Sequence, residues 1–428
     1  MRIWQFVISQ RLVDAQNTRT MLLSKALIER GHEVVLWTSA FDHDKKEWRA
    51  SKLEIPEQRD GLEIRYVRGC GYRKNVSFRR YLDHLMCTRH FTRVCRSVPV
   101  ADAIIASLPD HNLAYEALRF GKSINIPVMV DIRDPWPDLF ANMRRNRFAR
   151  LMVKTLFSWD SLRTARVIRE ADVVVAMMNS MLEWGLRKSG RKRLPDDQVF
   201  YLSTCEGIDR KSVRELPEAS VVKSILERIA DSFVVLFVGT FGRVNNPILL
   251  VKAIDSINRG LSGQQGRVSF IIGGSGDSFE EVRRLASQHK NVYCTGWLNQ
   301  TEMDNLVVSA DVGIIPCSFA SDAFPNEAEI FPNKAFSYLS GGLPIIASVS
   351  GDLAQLIETE RIGLLFGAGD SKGLAEAVLH LYKERAERDE MANNTRRLFQ
   401  ERFNRERTYH AFASLVEKMA CNKKGIAR

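Results

Sequence analysis

No apolar run in this 428-residue chain approaches the roughly 20 residues that a membrane-spanning helix needs. The longest, such as Phe233-Val-Val-Leu-Phe-Val238, are strand-sized. Met1-Arg-Ile-Trp-Gln-Phe-Val-Ile8 has no small-residue cleavage site after it, so it reads as a first strand and not as a signal peptide. The seven cysteines (Cys70, Cys87, Cys95, Cys205, Cys294, Cys317 and Cys421) are odd in number and lack CxxC spacing. That pattern argues against a disulfide framework and a zinc site, and fits free thiols in a reducing cytoplasm. Glycine is missing from the first strand–helix turn, Ser9-Gln-Arg-Leu-Val-Asp-Ala-Gln-Asn17. A dinucleotide fingerprint needs glycines there so that backbone can approach a pyrophosphate, so NAD chemistry is not expected and the loop suits an acceptor.

Acids are scarce in two stretches. Arg65–Arg96 holds nine Lys or Arg against Asp83 alone, and Arg144–Arg169 holds eight against Asp160 alone, within a chain of net charge +11. Aromatic residues are interleaved with the first set (Tyr72, Phe78, Tyr81, Phe91). Basic and aromatic residues at helical spacing suit an interfacial helix on anionic lipid, or a solvated basic face. No nucleic-acid recognition motif accompanies the charge, so nucleic acid is not an expected partner.

What the chain does have is a repeated rhythm of short apolar strands and helices. In the first half, strands are expected at 3–8, 33–38, 64–67, 103–106, 127–132, 173–177 and 199–202, with a first helix over 18–30 closed by Gly31. In the second half they recur at 233–238, 268–273, 292–295, 312–315, 344–347 and 363–366, followed by a charged helical region from Lys372 to about Lys418. Alternation of this kind specifies parallel sheets covered on both faces. At this length two domains are expected. They are placed at residues 1–205 and 206–400, with a terminal helix over 401–428 packing back on the first. Two doubly wound domains would face a cleft lined by the carboxyl ends of their strands.

The segment Phe331-Pro-Asn-Lys-Ala-Phe-Ser-Tyr-Leu-Ser-Gly-Gly-Leu-Pro-Ile-Ile-Ala347 carries the most chemistry. Asn333 suits a helix cap, Gly341 and Gly342 end the helix, and a buried strand follows. Lys334 at that helix start, beside free N–H groups, can hold a phosphate, and Glu329 just upstream can bind hydroxyls. Two glycine-rich turns follow strands, Gly239-Thr-Phe-Gly-Arg243 and Gly273-Gly-Ser-Gly-Asp277, which makes Gly242 and Gly274 candidates for close backbone approach. Arg243 with Lys334 gives two cations for one diphosphate without a metal. Asp42-His-Asp44 looks like a metal-holding acidic pair, but an exposed loop is the preferred reading.

The chain resembles the GT-B glycosyltransferases, specifically family 4 and its branch for bacterial surface polysaccharides. The likeness is carried by Gly31-His-Glu-Val-Val35, Asp131-Ile-Arg-Asp-Pro-Trp-Pro137, Ala171-Asp-Val-Val-Val175, Glu206-Gly-Ile-Asp209, Asn291-Val-Tyr-Cys-Thr-Gly296, Ala310-Asp-Val-Gly-Ile314 and, most specifically, Pro332–Pro344. The resemblance implies two Rossmann-like doubly wound domains, a nucleotide-sugar donor (UDP- or GDP-linked) in the second, and a sugar or lipid-linked acceptor in the first. It also implies retaining chemistry without a metal or other cofactor, on the cytoplasmic face of the membrane. It would place Arg243 and Lys334 on the diphosphate, with Gly242, Gly274, Asn333 and Ser337 around it, Trp297 and Leu298 near the base, and Glu329 on the transferred sugar. Arg133 and Asp134, at the end of the strand expected over 127–132, complete the catalytic candidates; a local ion pair between them is the alternative. Acceptor-side candidates are His43 and Arg19, and Trp136 is assigned to packing.

Three positions depart from the family pattern. Ser337 stands where a second glutamate is usual, Ile248 where a second phosphate lysine is usual, and Arg133 where a histidine is common. Two rival functions are a sugar-nucleotide epimerase and a catalytically silent binding partner.

Overall fold

The computed structural model describes residues 1–12, 18–49, 56–74, 77–142, 144, 146–203, 206–209, 211, 213–242, 247–261, 267–317 and 331–423. The chain divides into two compact units, Met1–Thr204 with Arg405–Arg428, and Cys205–Asn404.

The first unit is built on β1 (Arg2–Phe6), β2 (Glu33–Ser39), β3 (Glu57–Arg59), β4 (Leu62–Val67), β5 (Ala103–Leu108), β6 (Val128–Ile132), β7 (Val173–Ala176) and β8 (Gln198–Val199). They lie in the order β3-β4-β2-β1-β5-β6-β7-β8. Its helices are α1 (Arg19–Glu29), α2 (Phe78–Val94), α3 (His111–Ser123), α4 (Asp138–Asn142), α5 (Arg147–Leu156), α6 (Ser158–Glu170) and α7 (Asn179–Ser189).

All neighbouring strands run parallel except β3, which pairs antiparallel with β4 as an edge. That edge strand was not anticipated: its three residues, Glu57-Gln-Arg59, are polar and carry no apolar run. Strand alternation sends Trp4 and Phe6 of β1 into one core, with Trp37, Phe91, Leu113 and Val167, and Ile3 into the opposite core, with Leu27, Ile105 and Phe412. Both faces of the sheet are therefore covered, as the apolar strands require.

The Thr18 side chain caps α1 by accepting from the Met21 amide, and Gly31 closes it at φ 81°. The last helix of this unit, Arg405–Lys423, supplies Tyr409, Phe412, Leu415 and Met419 to the Ile3 core. Its Glu417 accepts from Arg30 at 2.9 and 2.7 Å and pairs with His32 at 2.7 Å, which holds its carboxyl down at about 2.

The second unit contains β9 (Phe233–Val238), β10 (Val268–Gly273), β11 (Val292–Gly296), β12 (Val312–Ile315), β13 (Ile345–Ala347) and β14 (Gly363–Leu365). All are parallel, in the order β11-β10-β9-β12-β13-β14. Its helices are α8 (Val221–Arg228), α9 (Pro247–Gly260), α10 (Phe279–Ala286), α11 (Gln300–Ser309), α12 (Asn333–Ser340), α13 (Gly351–Thr359), α14 (Ser371–Lys383) and α15 (Arg385–Leu398); the Arg405–Lys423 helix of the first unit is α16. Both units are doubly wound α/β sheets, as the alternation implied.

Candidate functional site

In the second unit, the polypeptide beyond the ends of β9, β10 and β11 is stitched together by backbone bonds. The Gly239 amide donates to the Gly273 carbonyl (3.0 Å), Phe241 to Ser275 (2.9 Å), and Gly274 to Gly296 (2.7 Å). Glycine is required for this. Gly274 sits at φ 126°, and a Cβ on it would lie 1.9 Å from the Gly239 carbonyl oxygen. Its amide is committed to Gly296, so Gly274 serves this region by letting two turns press together. Gly242 differs: among the described residues, a Cβ there would meet nothing within 4 Å. It opens directly into residues 243–246, and Arg243 lies outside the described residues, as does Glu329.

Helix α12 brings Lys334 to the same strand end. Pro332, not Asn333, is the N-cap; it offers no side-chain acceptor, and Asn333 is the first helical residue, with its side chain exposed. The backbone geometry of Pro332, at φ −66° and ψ 142°, starts the helix, which displaces the asparagine one position inward. Tyr338, one turn after Lys334, anchors the helix. Fully buried, its hydroxyl accepts from the Val238 amide (3.1 Å) and lies 3.3 Å from the Leu236 carbonyl. Its ring fills the space where a Gly313 Cβ would stand 2.5 Å away. Sequence reasoning missed both Tyr338 and Gly313; their pairing spans β12 and α12, with no local signal.

Lys334 is 8% exposed, its ammonium 4.4 Å over the Phe237 ring. Burial lowers its pKa to about 7, with Cys317 opposing. Ser337 is half-buried, and its carbonyl accepts from Ser340 Oγ at 2.8 Å. Ile248 packs against the β9 core from the start of α9, so that position supplies no cation. Leu298 would touch a Gly273 Cβ at 2.6 Å and so lies over β10, while Trp297 beside it is 80% exposed.

In the first unit, the β6 end is arranged differently from expectation. Arg133 pairs with Asp131 (2.8 Å) and donates to Thr20 Oγ1 (2.9 Å), so its ion pair is with Asp131 and not with Asp134. Asp131 is fully buried and also takes Arg19 at 2.9 Å. Arg19 is 3% exposed, donates to the Phe200 carbonyl and lies 4.9 Å from the Phe412 ring. Breaking such a network leaves a buried charge unpaired, so Arg19 is a structural residue and not a ligand for an acceptor.

Asp134 keeps solvent contact beside the protein mass. Although Asp134 is exposed, the protein mass beside it desolvates its carboxyl and pushes it up to about 6, against Arg133 and helped by Asp110. Asp110, which sequence reasoning also missed, accepts from the Ile8 amide at 2.9 Å and lies 3.4 Å from His84 Nδ1. A carboxyl raised from 3.8 to about 6 binds its proton more tightly folded than unfolded, so its contribution to stability is lost as pH rises through that window. Compared with Asp134→Asn, the wild-type protein is expected to lose a small amount of thermal stability from pH 4 to 6 and then level off, small because solvent screens an exposed carboxyl. Parallel pH profiles of the two melting curves would expose an error.

The loop after β2 is largely exposed, as expected, except at Asp42. Asp42 is buried, accepts from the Asp44 and Lys45 amides (2.9 and 3.0 Å) and pairs with Arg49 at 3.1 Å. It is a buried, turn-forming carboxylate within a loop that is otherwise largely exposed, at Asp44, Lys45, Glu47 and Trp48. His43 lies 2.6 Å from the Tyr72 hydroxyl, with its pKa lowered to about 4 by burial and by Arg80 and Lys46. Trp136 packs on Phe140 at 4.7 Å, under the Arg80 guanidinium. Among the described residues, no group of three or more His, Cys, Asp or Glu is set to hold a metal.

Two family models match the chain: "Glycosyl transferase 4-like domain" over residues 15–197 and "Glycosyl transferases group 1" over 232–384. The chain is 27% identical over 203 residues to the O-antigen chain mannosyltransferase C of Escherichia coli, covering 46% of this chain and 49% of that protein. It is 26% identical over 163 residues to the amylovoran biosynthesis glycosyltransferase AmsK of Erwinia amylovora, covering 37% and 39%. The chain thus spans about half the length, or less, of these curated relatives. The sucrose-phosphate synthase structure from Thermosynechococcus elongatus superposes with TM-score 0.68 at 16% identity, over 98% of this chain and 99% of that one, and shares its fold. With the two models meeting its two sheets in turn, the chain belongs to the GT-B glycosyltransferases.

Proposed function

We propose that the protein moves a sugar from a UDP- or GDP-linked donor to a lipid-linked acceptor during cell-surface polysaccharide synthesis, on the cytoplasmic face of the membrane. The observation that carries this reading is Lys334. It is a buried lysine with a depressed pKa, held by Tyr338 at the end of β9, close to where the chain enters its Gly242 turn. Arg243 would share the diphosphate with it, Trp297 and Leu298 would meet the base, and Glu329 the transferred sugar. Asp134 would meet the acceptor, with Arg133 holding the strand end through Asp131.

The reaction would be retaining, as the family resemblance implies, and would need no metal, because the cations stabilise the leaving diphosphate while the acceptor hydroxyl is positioned by contacts. The E. coli and Erwinia relatives are named for O-antigen and amylovoran synthesis, which supports a surface-polysaccharide product. The glycosyltransferase family models favour transfer over the epimerase and the silent-partner alternatives.

Incubation with a nucleotide-sugar panel, with and without bacterial lipid extract, tests the reading. Sugar is expected in the lipid fraction only when donor and extract are both present. Conversion of a donor sugar to its epimer without extract would sink it.

A further inference from the structure

Helices of soluble proteins turn their apolar face inward. In α5 the arrangement is reversed. The side towards the protein carries Ala149, Arg150 and Val153, each only half-buried, and no residue of the helix is buried. Phe148 (69% exposed), Leu151 (62%), Met152 (59%) and Leu156 (75%) face outward, continued by Trp159 (64%) and Leu162 (63%) on α6. From Leu139 to Trp159 the chain has no acid but holds Arg144, Arg145, Arg147, Arg150 and Lys154. So many large apolar side chains exposed within one helix and the start of the next mark an interaction surface.

Helix α2 adds a second stripe at i, i+4, i+8: Phe78, Leu82 and Met86 are 80, 41 and 42% exposed, with Arg79, Arg89 and Arg93 also exposed. The Tyr81 hydroxyl donates to Asp160 at 2.8 Å, which ties the start of α6, next to Trp159, to the first turns of α2. Inside this corner the rings of Trp136, Phe140 and Phe157 form a ladder, with centroids 4.7 and 5.5 Å apart. It leads from α5 back to the loop that begins at Asp134.

We infer that α5, the start of α6 and the α2 stripe seat the first unit in the interfacial layer of an anionic bilayer. The acceptor's lipid carrier then enters along the aromatic ladder towards the end of β6; this last step rests on the lipid-linked acceptor proposed above. Charge selects the occupant. Apolar side chains enter the acyl boundary while the flanking cations meet anionic headgroups. A second copy of this chain would set the same cations against each other.

Flotation of the full-length protein with phosphatidylglycerol–phosphatidylcholine vesicles and with pure phosphatidylcholine vesicles tests this, beside the triple variant Phe148→Ser, Leu151→Ser, Leu156→Ser. The wild type is expected to float with the anionic vesicles at physiological salt and not with the neutral ones. The triple variant should float about tenfold less or worse. Because the three side chains are exposed, its melting temperature and its stabilisation by UDP or GDP should match the wild type.

Equal flotation of wild type and triple variant, or none for the wild type, overturns the inference. So does a wild-type dimer in light scattering that the triple variant abolishes. Flotation without any nucleotide stabilisation would refute the donor site instead and leave the membrane surface standing.

Discussion

Replacing Lys334 with alanine is expected to weaken nucleoside-diphosphate binding by about 10- to 100-fold, since a hydrogen bond to a charged group is worth roughly 1.5–3 kcal/mol. The variant should not lose fold stability to the same degree. Burial lowers the pKa of this lysine to about 7, so the fold disfavours its charged form and alanine removes that penalty. The signature is in the pH dependence. With a folded pKa near 7, the ammonium is largely neutral above that pH until a diphosphate arrives and pulls its pKa up. Binding then takes up a proton, so wild-type affinity should fall as pH rises from 7 to 9, while Lys334→Ala stays flat after correction for nucleotide ionisation. Calorimetry in buffers of different ionisation enthalpy measures that uptake. Equal pH slopes for the two proteins would remove Lys334 from the site.

The second large effect is expected at Gly274. An alanine there would place its Cβ 1.9 Å from a backbone oxygen of Gly239 and hold an L-residue at φ 126°. Backbone strain and overpacking together should cost about 3 kcal/mol or more, because neither partner is a movable side chain. Gly242→Ala is the matched control: its Cβ meets none of the described residues within 4 Å, so stability should change by less than about 0.5 kcal/mol. If Gly242→Ala weakens donor binding while its denaturant midpoint is unchanged, the open space ahead of Gly242 is ligand space. Similar midpoints for the two variants would contradict the close contact of the two turns.

The fold was legible because apolar runs such as Phe233–Val238 and their helices alternate with a period that only parallel, doubly covered sheets satisfy. The short polar β3 was not, since its pairing with β4 is decided by the neighbour and not by its own residues. The place of Lys334 in the first turn of a helix was legible because that signal is local. The partner of Arg133 was not, because Asp131 joins Arg133 from two residues away to Arg19 from 112 residues away, and only the folded sheet brings these together. In α5 the amphipathic period is plain in the sequence, but which face would be covered is set by what packs there. Asn333 misled for a smaller reason: the preceding proline already has the cap geometry.

The central claim is that Lys334 and the β9 turn bind a nucleoside diphosphate. Titration calorimetry of UDP and GDP against wild type and Lys334→Ala at pH 7 tests it most directly. The result expected is one saturable site per chain for at least one nucleotide, weakened by 10-fold or more (roughly 1.4 kcal/mol) in the variant. No heat from either nucleotide, or equal affinity in both proteins, would contradict it.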